Sequence, residues 1–532
     1  MRMDRRDMLA SIAGGAALSA SPAGARAVAP ARDPWRRGIE GQRIADLGDG
    51  RYRNPIVGGD HPDPTIVRDG ADYYMTFSSF EALPGVMVWH SRDLVNWRPL
   101  GPALTANIGS VWACDIGKHD GRFFIYMPVL TEKRGFRIFV TTAARPEGPW
   151  SEPVDIGIDG CIDPGHVVGE DGHRYLFVNG IRKVRLSDDG SQAVGPVEPA
   201  YQPWHYPADW IVEDFAPEGP KLLKRGGYFY LVTAVGGTAG PPTGHMIIVA
   251  RSRSVHGPWE NCPYNPVVRT VSEDEPWWSR GHGTPVEGPA GDWWIVYHGY
   301  ENGYRPLGRQ ALLEPVEWTA DGWLRARGGD LSRPIPKPRG GVAGAAGMAL
   351  SDDFRGSRLG PQWSFHHPGA AGLSRTRFDG AGMLLAAAGS GPGDSAPLTI
   401  TAPDRDYAVE VSFDLSPGVE AGLTLFYNFR AFVGVGFDGK SIRTYTSGER
   451  QPWMDRIMPT RNVRVRMTNV RQVATFYTSL DEGRSWQLND LRTDVTGYNH
   501  NTFGGFLALR PAIYASGAGS VRLRDFRYRA LG

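Results

Sequence analysis

Five polar residues recur at one phase of a repeat: Asp63, Asp115, Asp163, Glu218 and His282, spaced 52, 48, 55 and 64 residues apart. Each opens a similar passage. His61-Pro62-Asp63-Pro64 runs into the turn Asp69-Gly70 and the aromatic stretch Tyr73-Tyr74-Met75, and Trp112-Ala113-Cys114-Asp115 runs into Asp120-Gly121. Cys161-Ile162-Asp163-Pro164, Pro217-Glu218-Gly219-Pro220 and Gly281-His282-Gly283 lead to Asp171-Gly172, Gly226-Gly227 and Gly291-Asp292 in the same way. Taken singly, Asp-Pro and Glu-Gly are ordinary turn residues. Five polar anchors at one repeat phase ask for more. If they converge, three carboxylates, a fourth acid and a histidine share one pocket. Unequal surroundings there drive carboxyl pKa values apart, so that one group serves as acid and another as base.

The elements that would bring them together follow from the period. A repeat of about 50 residues is the length of one four-stranded propeller blade with its loops. A second recurring element, Asp93-Leu94-Val95-Asn96-Trp97, Glu147-Gly148-Pro149-Trp150 and Gly257-Pro258-Trp259-Glu260, reads as the outer-strand turn of successive blades. Helical periodicity is nearly absent between residues 50 and 330, which argues against a TIM barrel. The expected architecture is all-β: a five-bladed β-propeller over residues 42–330 with each anchor at the start of an innermost strand. Residues 331–350, with Pro334, Pro336 and Pro338 before a Gly/Ala run, read as a linker. Residues 351–532 alternate in strand fashion, as in Tyr407–Phe413 and Val463–Met467, and read as a β-sandwich.

Composition narrows the partners. With 58 Lys+Arg against 57 Asp+Glu, the formal charge of +1 creates no net field for nucleic acid or an anionic membrane. Seventeen Trp, 20 Tyr, 21 Phe and 69 Gly suit a β-rich chain that binds a neutral ligand such as sugar. Residues 1–27 read as an export signal: Arg5-Arg6 precede an apolar stretch from Met8 to about Ala20 and the cleavable Ala25-Arg26-Ala27, and the paired arginines are twin-arginine-like. A mature chain starting near Val28 is then periplasmic or secreted. No later segment approaches the roughly 20 apolar residues of a membrane span. Cys114, Cys161 and Cys262 lack CxxC spacing, so a zinc site is not expected; three cysteines allow at most one disulfide in the chain, and the favoured reading is three reduced structural residues.

Several motifs together resemble glycoside hydrolase family 43, in particular its β-xylosidases and α-L-arabinofuranosidases with a C-terminal β-sandwich. They are Asn54-Pro55-Ile56 with His61-Pro62-Asp63-Pro64-Thr65; Ser78-Ser79-Phe80-Glu81; His90-Ser91-Arg92-Asp93-Leu94-Val95-Asn96-Trp97; Ile162-Asp163-Pro164; Glu218-Gly219-Pro220; Arg280-Gly281-His282-Gly283; Gly308-Arg309-Gln310; and Tyr498–Phe506 to Arg510-Pro511. The resemblance implies that Asp63 is the general base, Glu218 the general acid, and Asp163 the residue that tunes and orients the acid. Physical chemistry supports that division. An inverting glycosidase needs one ionised and one protonated carboxyl, roughly 6.5–9.5 Å apart with water between them.

The same resemblance places Phe80 and Trp112 around the non-reducing-end sugar and Arg309 on the pocket floor. His282 either supports the site or joins a water-filled calcium site; no cofactor is otherwise required. Cys114-Asp115, Gly165 and the run Tyr297–Tyr304 depart from the family pattern, with consequences for specificity. The implied activity is exo-acting release of terminal pentose, chiefly β-D-xylose, from plant cell-wall oligosaccharides. An α-L-arabinofuranosidase is the enzymatic alternative, and a carbohydrate-binding propeller without turnover the non-enzymatic one.

Overall fold

The structure is a computed structural model that describes residues 35–369 and 372–532. The export signal expected at residues 1–27 lies outside the described residues. Among those described, no helix is long and apolar enough to cross a membrane, and the one α-helix is the single turn His500–Phe503.

The strands bear out the all-β expectation. Five successive antiparallel sheets follow the chain, each with a four-stranded path: from Thr65–Asp69 to Arg98–Leu104, from Asp115–His119 to Val154–Asp159, from Gly165–Val168 to Ala193–Pro199, from Asp214–Arg225 to Glu260–Asn261, and from Trp277–Glu287 to Leu324–Ala326. The tight turns the sequence marks are the hairpins joining the first two strands of a blade. His119 pairs with Arg122 across Asp120-Gly121, and Arg225 with Tyr228 across Gly226-Gly227. Both central residues of each turn have positive φ, at 47° and 76° and at 57° and 77°, which two-residue hairpin turns of matching twist require.

Alternation along these strands buries one apolar cluster between each neighbouring pair of blades. Val88 with Ile116 and Ile125 joins blades one and two, and Ile138 with Leu176 joins two and three. Phe177 with Leu231 joins three and four, Val249 with Ile295 joins four and five, and Met75 with Trp294 closes five onto one. The ring therefore closes through side-chain packing, with every blade made from one contiguous stretch of chain. The recurring tryptophans Trp97, Trp150 and Trp259 tuck into these seams from the outer turns.

Residues beyond 351 form two packed sheets, and Val409, Val411 and Phe413 of one face Leu423, Leu425, Val433 and Val435 of the other. One strand of the larger sheet comes from the propeller: Ala82–Leu83, a loop of blade one, pairs with Phe365 and His366. Charge completes the join, since buried Arg43 donates to Glu301 of blade five at 3.0 and 2.8 Å while its backbone N–H reaches Asp404 of the sandwich at 2.8 Å. The segment 331–350 behaves as a strap. Ile335–Pro336 pairs with Arg51–Tyr52, Lys337 reaches Asp46 and Asp93 at 2.6 and 2.9 Å, and Gly347 N–H donates to Trp97. Its prolines hold an extended backbone suited to that edge pairing.

Candidate active site

Asp63 and Asp163 stand two residues before the innermost strands of blades one and three, and Glu218 and His282 lie within those of blades four and five. The backbone at three of these anchors is unusual. Asp63, Asp163 and His282 have φ of 57°, 57° and 58°, a left-handed conformation that is uncommon outside glycine and is found where the surrounding structure fixes a functional residue. The strand register slips on both sides of Glu218 and on both sides of Gly281, with His282 inside the second slip. Such irregularities re-aim side chains that a regular pleat would send between blades.

Four of the five anchors, Asp63, Asp163, Glu218 and His282, line one cavity of about 170 Å³ together with Arg309, Phe80 and Trp112. The fifth does not. Asp115 accepts from Lys221 Nζ at 2.9 Å, from the His166 N–H at 2.8 Å and from Thr65 Oγ at 3.2 Å. The expectation of a fourth acid in the pocket is therefore corrected: Lys221, 3% exposed and also bonded to the carbonyls of Cys114 and Pro164, draws Asp115 into the inter-blade seam.

The three pocket carboxyls occupy different electrostatic environments. Burial opposes ionisation of Asp63, but Arg309 Nη1 at 2.8 Å outweighs it, with His282 and His298 close by, and the carboxyl is held well below its usual range. Ser78 Oγ donates to its second oxygen. Burial, then the charge of Asp63, raises Asp163 to about 7, although the Gly219 N–H donates to it at 2.9 Å. Burial, then Asp163 and Asp63, pushes Glu218 well above the normal carboxyl range. Like charges in a shared site cannot all ionise. The arrangement leaves Asp63 ionised and Glu218 protonated, one proton acceptor and one proton donor facing the same small space.

The walls are aromatic. Trp112 meets Phe80 and Phe506 edge-on, with ring centroids at 5.7 and 5.4 Å, and the Arg309 guanidinium lies 5.7 Å from the Phe80 ring and 5.3 Å from that of Phe506. Arg309 Nε and Nη2, His282 Nε2 and Thr238 Oγ are buried without a protein partner, leaving hydrogen-bonding groups for a polar ligand at the cavity. The free cysteines Cys114, Cys161 and Cys262 are buried.

A calcium ion takes six to eight oxygen ligands. Around His282 the neighbours are the ring of His298, the carboxylate of Asp63 and the cations Lys221 and Arg309. Among the described residues no group of three or more His, Cys, Asp or Glu is placed to hold a metal. The side chains at His282 do not form an oxygen cage, so a calcium ion here would take most of its ligands from water. Burial lowers His282 to about 3, which favours the neutral imidazole, and its Nε2 is left without a protein partner.

Sequence reasoning missed several contributors. His298 Nδ1 accepts the Asp63 N–H at 3.0 Å and so secures the left-handed backbone there; it lies in Tyr297-His298-Gly299, singled out only as a departure. Ser78 and Phe506 sat unremarked inside quoted motifs. Glu213, Asp214 and Thr238 complete the rim and had no signal beyond proximity to Glu218 in the chain.

Residues 52–324 match the family model for glycosyl hydrolases family 43. The chain belongs to that family. Its residues 351–529 match a second model, the β-xylosidase C-terminal concanavalin A-like domain. Among family 43 relatives, it is 34% identical over 335 residues to a non-reducing-end α-L-arabinofuranosidase of Bacteroides ovatus, covering 59% of this chain and 61% of that one. It is also 34% identical over 312 residues to a xylan 1,3-β-xylosidase of a Vibrio species, covering 51% and 56%. The matched region thus spans about three fifths of those relatives' own lengths. A solved family 43 structure, XynB of Bacillus licheniformis, superimposes with a TM-score of 0.81 at 28% identity, covering 90% of this chain and all of the other.

Proposed function

We propose that this chain is an exo-acting, inverting glycosidase that releases terminal pentose, chiefly β-D-xylose, from plant cell-wall oligosaccharides. The observation that carries the reading is the opposed protonation of Asp63 and Glu218 around one cavity. Asp63 takes a proton from a water molecule as its oxygen attacks the anomeric carbon. The glycosidic C–O bond breaks on the opposite face, and Glu218 gives its proton to the departing oxygen. Burial, with the like charge of Asp163, keeps Glu218 protonated, and proton exchange with solvent resets both groups. Every proton moves between a side chain and water or sugar.

A cavity of about 170 Å³ is small beside the roughly 300–1,000 Å³ of a drug-sized site, which suits one terminal sugar ring and hence action at a chain end. The unpartnered donors of Arg309 then meet its hydroxyls while Phe80, Trp112 and Phe506 enclose its apolar face. Export through the twin-arginine-like segment would place the enzyme where such oligosaccharides are found.

A second reading, α-L-arabinofuranosidase, is favoured by the similarity to the Bacteroides ovatus arabinofuranosidase. Parallel assays on an aryl β-D-xylopyranoside and an aryl α-L-arabinofuranoside separate the two. Proton NMR of the first-formed sugar, taken before mutarotation, should show the opposite anomer to the substrate. Retained configuration would make one carboxylate a nucleophile and remove Asp63 from the base role.

A further inference from the structure

The segment between the last strand of blade three, Ala193–Pro199, and the inner strand of blade four, Asp214–Arg225, has no regular secondary structure, yet it is firmly seated. Tyr206 is buried with Val235, Met246 and Ile248, and Trp204, Trp210 and Val212 pack against that cluster. The segment ends at the pocket mouth with Glu213. There the Glu213 N–H donates to the Gly236 carbonyl at 3.0 Å, and its Oε2 accepts the Ala239 N–H at 2.6 Å. One carboxylate oxygen is thereby fixed and the other is left without a protein partner. Neither Glu213 nor its neighbour Asp214 forms an ion pair among the described residues.

Thr238 stands beside them on the turn that follows strand Tyr228–Gly236. It is 4% exposed, it lines the cavity, and its Oγ has no hydrogen-bond partner. A buried hydroxyl without a partner is rare unless a ligand or water completes it. Thr238 and the free oxygen of Glu213 together offer one donor-acceptor and one acceptor at the same rim, which suits the hydroxyls of a sugar.

Which sugar they meet follows from their place. Glu213 and Asp214 border the cavity yet are solvent-exposed, so they meet the part of a substrate that extends out of it, and Glu213 lies five residues before Glu218 on the approach to the same strand. Glu218 faces the leaving oxygen in the function proposed above, on which this inference rests. A residue on that side faces whatever the leaving oxygen is attached to.

We propose that Glu213 and Thr238 form the leaving-group subsite, which binds a neutral sugar through its hydroxyls and rejects a sugar bearing a uronic acid. Two uncompensated carboxylates, Glu213 and Asp214, repel a third at close range. The Ala239 N–H holds one Glu213 oxygen in place at the rim. Exposed charges are screened by salt, over about 10 Å at 0.1 M and about 3 Å at 1 M, and the rejection should weaken accordingly.

The test compares kcat/KM for release of the terminal xylose from two oligosaccharides, xylotriose and a xylotriose whose second sugar carries a glucuronic acid branch. The wild-type enzyme should prefer the neutral one at least tenfold, and 1 M NaCl should reduce that ratio. Glu213→Gln keeps the shape and can still accept the Ala239 N–H. It should cut the ratio at least fivefold and remove most of its salt dependence. Thr238→Val should raise KM for xylotriose more than for an aryl xyloside and leave the charge discrimination in place. An unchanged neutral-to-acidic ratio in Glu213→Gln, or a wild-type ratio indifferent to salt, overturns the assignment and leaves the glycosidase reading standing. A wild-type enzyme inert on both xylotriose and aryl xyloside overturns both.

Discussion

Asp63 and Glu218 differ in their neighbours more than in their burial. Arg309 and the Ser78 hydroxyl stabilise charge on Asp63, whereas burial and the neighbouring carboxyls Asp163 and Asp63 outweigh Arg309 at Glu218. Two predictions belong at this scale. Glu218→Ala should lower kcat/KM by about 10²–10⁴-fold on an alkyl xyloside and far less on a dinitrophenyl xyloside, whose leaving group needs little protonation; equal losses would take Glu218 out of the acid role. The pH profile should respond in opposite directions to two further changes. Asp163→Asn removes a charge that keeps Glu218 protonated, so Glu218 loses its proton at lower pH and the alkaline limb of kcat/KM moves down. Arg309→Met removes the cation that keeps Asp63 ionised, so Asp63 protonates at higher pH and the acidic limb moves up. Limbs that stay in place in both variants would mean that these groups do not set them.

At the scale of elements, the innermost strands must converge without leaving the buried polar groups between them unpaired. Lys221 resolves this for blades two to four: one ammonium group satisfies Asp115 and the carbonyls of Cys114 and Pro164. Removing one partner of a buried pair leaves an uncompensated charge and costs about 3–5 kcal/mol. Lys221→Met should therefore destabilise by that amount in urea unfolding. Adding Asp115→Asn to it should restore part of the loss, because no buried charge is then left alone. A double variant less stable than Lys221→Met would show that Asp115 contributes chiefly through Thr65 and His166.

At the scale of the whole molecule, the sandwich is built into the propeller and reaches its pocket. It shares a sheet with Ala82–Leu83, its core includes Phe80, and it supplies Phe506 to the pocket wall. A chain truncated after Pro338 would expose Phe80 and leave one side of Arg309 uncovered. It should aggregate or lack activity on xylobiose, and a soluble, fully active truncated chain would overturn this. In the full-length chain, Phe506→Ala should keep the unfolding transition and raise KM for an aryl xyloside more than it lowers kcat.

The repeat made the blades legible because each blade is a contiguous unit whose hairpin turns demand Gly or Asp at fixed offsets and whose buried strands demand aromatic and β-branched residues. The same phase picked out Asp63, Asp163, Glu218 and His282, since an irregularity just before an inner strand or within it is visible as Asp-Pro, Glu-Gly or Gly-His-Gly; the expectation that each anchor opens its strand is corrected, because Glu218 and His282 lie inside theirs. Only the tertiary structure could separate Asp115 from them, because its fate depends on Lys221, 106 residues away. It alone could bring His298, Glu213, Thr238 and Phe506 to the site, from different blades and from the second domain. A period in sequence reports what every repeat shares. The differences that give each carboxyl its own proton affinity arise from neighbours that no repeat encodes.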